Sequence, residues 1–372
     1  ARGVTPGVHP AKVDPRPLRV LIHRTGSMGD TLIAFAALRL IQAAFPNSTR
    51  ILLGNAPAHT AASPAVTVLE GSGLIHAVYY YPAGGGFKAL YAAWKGVRKI
   101  KPDVVVSLSS KHDERSAARD WLMFRLAGVK RVIGLDPGDR ALKRLPDEPD
   151  LHEQEAERLV RTIRELGTVD LQEPESWALL PHAADVEGIS AACPEWTWPG
   201  DYIVLATGTK QPANDWGQER WKEAIKDFAE MQLKTGMPLR MVCVGAAEDA
   251  ERAEELGQIW REYSANRYYN FCGKLTVLQT AALMTRARLM LGHDSGPMHL
   301  AAASGTKVVA VFSRRNRLGQ WFPLGHGHAL LFSDVPCAGC GLTACVEKAN
   351  LCTRQIPAAE VANQAMIRLH ET

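Results

Sequence analysis

Residues 288–312 read RLMLGHDSGPMHLAAASGTKVVAVF: a strand, a polar turn, a helix, a second turn and a second strand. Leu289-Met290-Leu291 is a short apolar run, His293-Asp294-Ser295-Gly296-Pro297 is turn chemistry, Met298 to Ala303 is helix-forming and Gly305 stops the helix. Val308 to Phe312 is the continuous β-branched run of a strand buried on both faces of a parallel sheet. Proline belongs in the first turn of a helix, where its missing N–H costs nothing. Pro297 therefore sets the N–H groups of Asp294, Ser295 and Gly296 at a positive helix end, a site for an anion such as phosphate. The same residues also suit an ordinary turn capped by Asp294 or Ser295.

The alternation extends in both directions. Strand signals at 18–23, 51–53, 75–80, 104–108 and 131–135 are separated by helical stretches at 31–45, 87–100 and 113–126, and an amphipathic helix is expected at 152–166. A proline-rich, linker-like segment (181–199) follows, and the pattern restarts with strands at 202–206, 239–244, 268–271, the central stretch and 329–332. This predicts an α/β chain with two doubly wound Rossmann-like domains, at 18–185 and 186–356, after a loose lead-in at 1–17. A last helix at 357–372 could pack back across the cleft. Open sheets of this type bind ligands at the carboxyl ends of their strands, so two facing domains would share one crevice.

A formal charge of +4 over 372 residues does not call for nucleic acid. The chain lacks the roughly 18-residue apolar window of a membrane span, and 1–17 lacks a signal-peptide core, so cytoplasm is the default expectation. Residues 88–144 nevertheless carry 14 Lys/Arg against 6 Asp/Glu, followed by 3 against 10 at 145–175. The basic half could meet an anionic acceptor or membrane surface, or could be solvated helix face.

Four constellations carry candidate chemistry. Asp30 closes the loop Gly26-Ser27-Met28-Gly29 after the first strand, where a carboxylate could take a proton from an attacking hydroxyl or cap the next helix. Gly26 and Gly29 would let backbone approach a substrate. Thr207-Gly208-Thr209-Lys210 follows the first strand of the second half and suits a pyrophosphate. Glu248 follows another strand and could accept ribose hydroxyls or favour a helix dipole. His299 would lie one helical turn from a phosphate at Ser295 and Gly296. Finally Cys337, Cys340, Cys345 and Cys352 offer four thiolates to zinc or iron, and otherwise are thiols or disulfides.

With RTGSMGDT near the start, GHDSGPMHLAAASGTKVVAVF in the second half and PCAGCGLTAC between them and the end, the chain resembles glycosyltransferase family 9, the ADP-heptose:lipopolysaccharide heptosyltransferase family. The resemblance implies a GT-B architecture with an acceptor domain first, a sugar-nucleotide domain second and a final helix returning to the first domain. It implies inverting transfer without a catalytic metal. Asp30 looks like the general base; Thr207, Thr209, Asp294, Ser295, Gly296 and His299 look like phosphate and nucleotide contacts, with Glu248 on the ribose. One position departs: Asn214, in Asn214-Asp215-Trp216-Gly217, stands where the family carries a phosphate-binding lysine. Lys210 is the candidate replacement.

The resulting expectation is a cytoplasmic transferase moving a sugar, heptose by resemblance, from a nucleoside-diphosphate donor to a hydroxyl of a glycan, a lipopolysaccharide-type glycolipid or a protein. Peripheral contact with the inner membrane surface and homo-oligomers are compatible with it. The rival readings are a GT-B sugar-nucleotide epimerase and a noncatalytic sugar-nucleotide-binding scaffold.

Overall fold

The computed structural model describes residues 16–56, 65–82, 86–197, 200–236, 239–263 and 268–371. The lead-in expected at 1–17 falls almost wholly outside them, as do Gly84, Gly85, Trp198 and Pro199. The first sheet holds β1 (Leu18–His23), β2 (Ser48–Asn55), β3 (Ala77–Tyr81), β4 (Val104–Ser107) and β5 (Arg131–Ile133). The second holds β6 (Tyr202–Ala206), β7 (Arg240–Cys243), β8 (Tyr268–Asn270), β9 (Leu289–His293), β10 (Val308–Val311) and β11 (Ala329–Leu331). Every pairing is parallel, in the orders β3-β2-β1-β4-β5 and β11-β10-β9-β6-β7-β8. Both are doubly wound, with the strand order reversing between β1 and β4 and between β6 and β9. Ligand crevices form outside the carboxyl ends of the strands at such switch points.

Strand periodicity assigns the side chains to layers. Leu21, Leu53 and Val105 pack under the helices Gly86–Ile100 and Glu114–Leu126. Val20, Ile22, Leu52, Val104 and Val106 face the helix Phe35–Ala44, in a core that continues into Val204, Ala206, Met290 and Met298 of the second domain. The other face of the second sheet, through Leu205, Met241, Leu291 and Val309, carries the helices Gln218–Leu233, Ala250–Tyr263 and Ala358–His370. Each aliphatic side chain so buried contributes roughly 1.5–3 kcal/mol, and a one-residue register slip would invert every strand.

Three sequence expectations are corrected. The 181–199 segment is not a plain linker: it contains the helix Ala183–Ala192, and Trp196 is buried edge-on against Tyr202, Tyr269 and Phe271. Its aromatic ring joins the core shared by the two domains, so composition rich in proline misled. The last helix packs on the second domain, where Val361, Ala362, Ala365 and Leu369 share a core with Trp221, Ile225 and Phe228. The expected 152–166 helix is the shorter Glu155–Thr162 plus a 3₁₀ turn, Arg164–Leu166.

Backbone bonds stitch the halves together: His152 N–H donates to Leu318 O (2.9 Å), Glu155 N–H to Gln320 O (2.8 Å) and Leu179 N–H to Ala303 O (2.7 Å). Gly319, at φ +91°, is required there because any Cβ would strike the His152 carbonyl. No helix among the described residues is long and apolar enough to cross a membrane.

Candidate active site

The first wall of the crevice is the turn after β1. Arg24 is buried, and its guanidinium donates to Leu108 O (2.5 Å) and to the Asp30 carbonyl. Burial lowers its pKa, and the Asp30 carboxylate opposes that shift. Ser27 caps the helix Met28–Ile33, which starts three residues earlier than expected and breaks at Ala34 before Phe35–Ala44. Asp30 is therefore not the cap but the third residue of the helix. Its Oδ2 accepts from Ser27 N–H (2.7 Å) and Ser27 Oγ–H (2.8 Å). Both of these bonds fall on one oxygen, and among the described residues none falls on Oδ1. Gly26 sits at φ +124°, donates to Asn55 Oδ1 (3.0 Å), and would place a Cβ 2.6 Å from the Asp30 carboxyl carbon. A side chain at 26 would thus dislodge the acid.

The opposite wall is the turn after β9. Asp294 N–H is not free, since it donates to Val311 O (3.1 Å). Ser295 caps the helix Gly296–Ala303, with Pro297 in its first turn. Among the described residues no backbone acceptor takes the N–H groups of Ser295 or Gly296. Asp294 itself is buried, which pushes its carboxyl up to about 7 against the opposing pull of Arg315 and Asn316. His293 is a core residue rather than turn chemistry. Its Nε2 accepts from Trp216 N–H (3.0 Å) and from the Trp221 indole (3.1 Å), and burial holds its pKa at about 4 against the pull of Asp215.

The two walls meet. A Cβ on Gly29 would lie 3.2 Å from Gly296 Cα and 3.4 Å from His299 Cδ2, so the amino ends of two helices, one from each domain, nearly touch. His299 is buried at this junction, its pKa lowered to about 4 by desolvation, with Asp30 the main charge acting the other way. Like helix poles facing each other repel, and an anion between them removes that cost.

The remaining sequence candidates surround this junction with unequal success. Thr207 is buried at the end of β6, and Thr209 Oγ1 is engaged with Gln211, whose N–H it accepts at 3.3 Å. Lys210 is exposed; partial desolvation lowers its pKa and the neighbouring Glu248 raises it. Glu248 is exposed, and the carboxylate wedged between the loops after β6 and β7 belongs to Asp249. Asp249 Oδ2 accepts from Ala246 N–H (2.9 Å), packs against Gly208 and Gly245, and has its pKa raised by burial. Asn214 is no phosphate ligand: it is buried, donating to Asp294 O (2.8 Å) and accepting from Ser313 Oγ–H (2.7 Å). It ties the turns after β9 and β10 together. Arg24, Asp249 and Arg315 border this junction without having been singled out in the sequence, where Asn214 was noted only as standing in place of an expected lysine.

The four cysteines line one cavity of about 20 Å³ together with Arg314, Arg315 and Lys348. All four are free thiols, and among the described residues no three His, Cys, Asp or Glu side chains converge closely enough to hold a metal ion. Their donor chemistry suits zinc or iron, while their spacing does not form a closed coordination shell. The segment is instead held by backbone bonds to the site loops: Gly339 N–H to Arg314 O (2.7 Å), Gly341 N–H to Arg315 O (2.8 Å) and Ala213 N–H to Thr343 O (3.0 Å). Asn350 Nδ2 adds bonds to Pro212 O (2.7 Å) and Asp215 O (3.0 Å).

Residues 94–350 match the sequence model of glycosyltransferase family 9 (heptosyltransferase). Lipooligosaccharide heptosyltransferase 2 of Campylobacter jejuni is 28% identical over 170 residues, 44% of this chain and 52% of that protein, so the match spans about half of that relative. Lipopolysaccharide heptosyltransferase 1 of Escherichia coli K12 is 25% identical over 306 residues, 79% of this chain and 88% of that protein. Two solved structures share the fold. A family 9 glycosyl transferase from Veillonella parvula has a TM-score of 0.66 at 16% identity, covering 95% of this chain and 98% of that one. The ADP-heptose lps heptosyltransferase II of E. coli has a TM-score of 0.63 at 18% identity, with the same coverages of 95% and 98%.

Proposed function

The chain belongs to glycosyltransferase family 9, and we propose from that premise that it transfers heptose from ADP-heptose to a hydroxyl of a lipopolysaccharide-type glycan or glycolipid, with inversion. The donor follows the structural neighbour named for ADP-heptose, and the acceptor class follows the relatives named for lipopolysaccharide and lipooligosaccharide. One observation carries the assignment of roles: the Asp30 turn and the amino end of the Gly296 helix abut across the cleft through Gly29 and Gly296. That contact supports a reading in which Asp30 is the base and the Ser295–Gly296 turn the anion site, on opposite sides of one small volume.

In this mechanism Asp30 Oδ1 takes the proton of the acceptor hydroxyl as its oxygen attacks the anomeric carbon from the face opposite the diphosphate. The C–O bond to phosphate breaks and the electron pair leaves with ADP. The N–H groups of Ser295 and Gly296 receive the growing negative charge, a role preorganised donors perform without reorganisation. Neutral His299, beside them, donates a hydrogen bond rather than a charge. Thr207 and Lys210 border the diphosphate from the β6 loop, and Asp249, rather than Glu248, accepts the ribose hydroxyls. Asp30→Asn tests the base. An amide oxygen still accepts from Ser27, so the fold and ADP affinity are expected to hold while kcat falls by about 10²–10⁴. Full turnover by a stably folded variant would remove Asp30 from the chemistry.

A further inference from the structure

The face of the first sheet turned away from the second domain is covered by the helices Gly86–Ile100 and Glu114–Leu126, whose buried sides share a core drawn from the first domain alone. Their outer sides are unlike a solvated surface. Phe87 is 82% exposed, Leu126 66% and Leu122 52%, with Tyr91 and Trp121 near half. Single exposed apolar residues are ordinary, but five large ones on the outer sides of two neighbouring helices are more than a solvated face usually carries. The rings of Phe87, Tyr91 and Trp94 stack in a row, with centroids 6.2 and 5.7 Å apart. Cations lie on this row, with Lys95 Nζ 5.6 Å from the Tyr91 ring and the Arg98 guanidinium 5.1 Å from Trp94, and on the neighbouring helix Arg125 lies 5.7 Å from Trp121. The helix Gly86–Ile100 contains no Asp or Glu. On the second helix the acids are Glu114, in the first turn, and Asp120, which is buried against Arg119.

We infer that this face docks on an anionic lipid bilayer. Aromatic rings flanked by Lys and Arg on an amphipathic helix sit at headgroup depth, where the rings enter the acyl boundary and the cations meet lipid phosphates. A protein partner with a matching acidic, apolar groove would be the alternative, but the acid-free first helix and its aromatic row fit a fluid anionic plane better. Placement agrees. The two helices follow β3 and β4, so their amino ends start at the carboxyl edge of the sheet, where the cleft opens. A domain lying on this face holds its crevice beside the headgroup layer.

The test is flotation with vesicles of phosphatidylglycerol and phosphatidylethanolamine, compared with phosphatidylcholine alone, at low and high salt. Binding is expected only to the anionic vesicles and should weaken with salt. Each basic side chain near such a surface is worth about five-fold in partitioning, so Lys95→Gln/Arg98→Gln/Lys99→Gln should lose roughly 100-fold. Phe87→Ser/Leu126→Ser should lose binding at both salt concentrations. The thermal shift given by ADP should stay as in the parent, which shows that fold and cleft are intact. Flotation is read without turnover, so its result is independent of the reaction assigned above. The inference is overturned if the parent does not float with anionic vesicles, if both variants float like the parent, or if light scattering finds a dimer that Phe87→Ser splits.

Discussion

Gly29→Ala separates stability from catalysis more sharply than any change to a charged group. Gly29 is inside the helix Met28–Ile33, where alanine is favoured by roughly 0.5–1 kcal/mol. Its added methyl would lie 3.2 Å from Gly296 Cα and 3.4 Å from His299 Cδ2, on the other domain. Comfortable carbon contacts lie near 3.5–4.0 Å, so the walls must part by about half an ångström. A displacement of about 1 Å at reacting groups can cost 10²-fold, and half of that implies roughly ten-fold in kcat. The melting temperature should stay within about 3 °C of the parent, because helix propensity and contact strain oppose one another. Turnover would be followed as ADP release at saturating donor, with melting read by circular dichroism. If Gly29→Ala folds normally and keeps the parental kcat, the two helix ends do not close on each other during the reaction. The argument built on their contact would then be wrong.

Asn214→Ala should cost about 2–4 kcal/mol, since it leaves both the Asp294 carbonyl and the Ser313 hydroxyl buried without their partner. Asn214→Lys should unfold at a lower temperature than the parent rather than bind ADP more tightly. The folded-state pKa of Asp294 is raised to about 7 from the ordinary 3.8 by burial. Folding stability on its account is therefore full below about pH 4 and falls as pH rises towards 7. If donor binds only the protonated form, ADP affinity by calorimetry should drop about ten-fold per unit above pH 7, and Asp294→Asn should flatten that profile. Asp249→Asn should weaken ADP binding at least ten-fold, whereas Glu248→Gln should change it less than two-fold; the reverse order would restore the ribose role to Glu248.

The fold was legible because most of the strands are short β-branched or apolar runs. Val104 to Val106 and Val308 to Val311 can satisfy no other element so well, and glycine or proline marks many of the turns between them. The turn at Ser295–Pro297 was equally readable, because its chemistry is local. Contacts made only in three dimensions were not. Nothing near Gly29 announces Gly296 across the cleft, and two adjacent acids, Glu248 and Asp249, differ only in the direction the 3₁₀ turn Ala247–Asp249 gives them. Asn214 looked like a lost lysine until its two buried partners appeared. The Ala183–Ala192 helix was hidden by the prolines on either side, and the final helix by a stripe that could have matched either domain.

The cysteine-lined segment has a consequence for how the enzyme would age. Its backbone grips Arg314, Arg315 and Ala213, the Asn350 amide grips Pro212 and Asp215, and from these the chain of bonds runs through Asn214 to the Asp294 turn. Cys340 is exposed while its three companions are partly covered. An electrophile or oxidant arriving from solvent would meet Cys340 before it met the cleft. A bulky adduct at the rim would strain the same bonds that hold the Asp294 turn, so thiol injury should be readable some distance away.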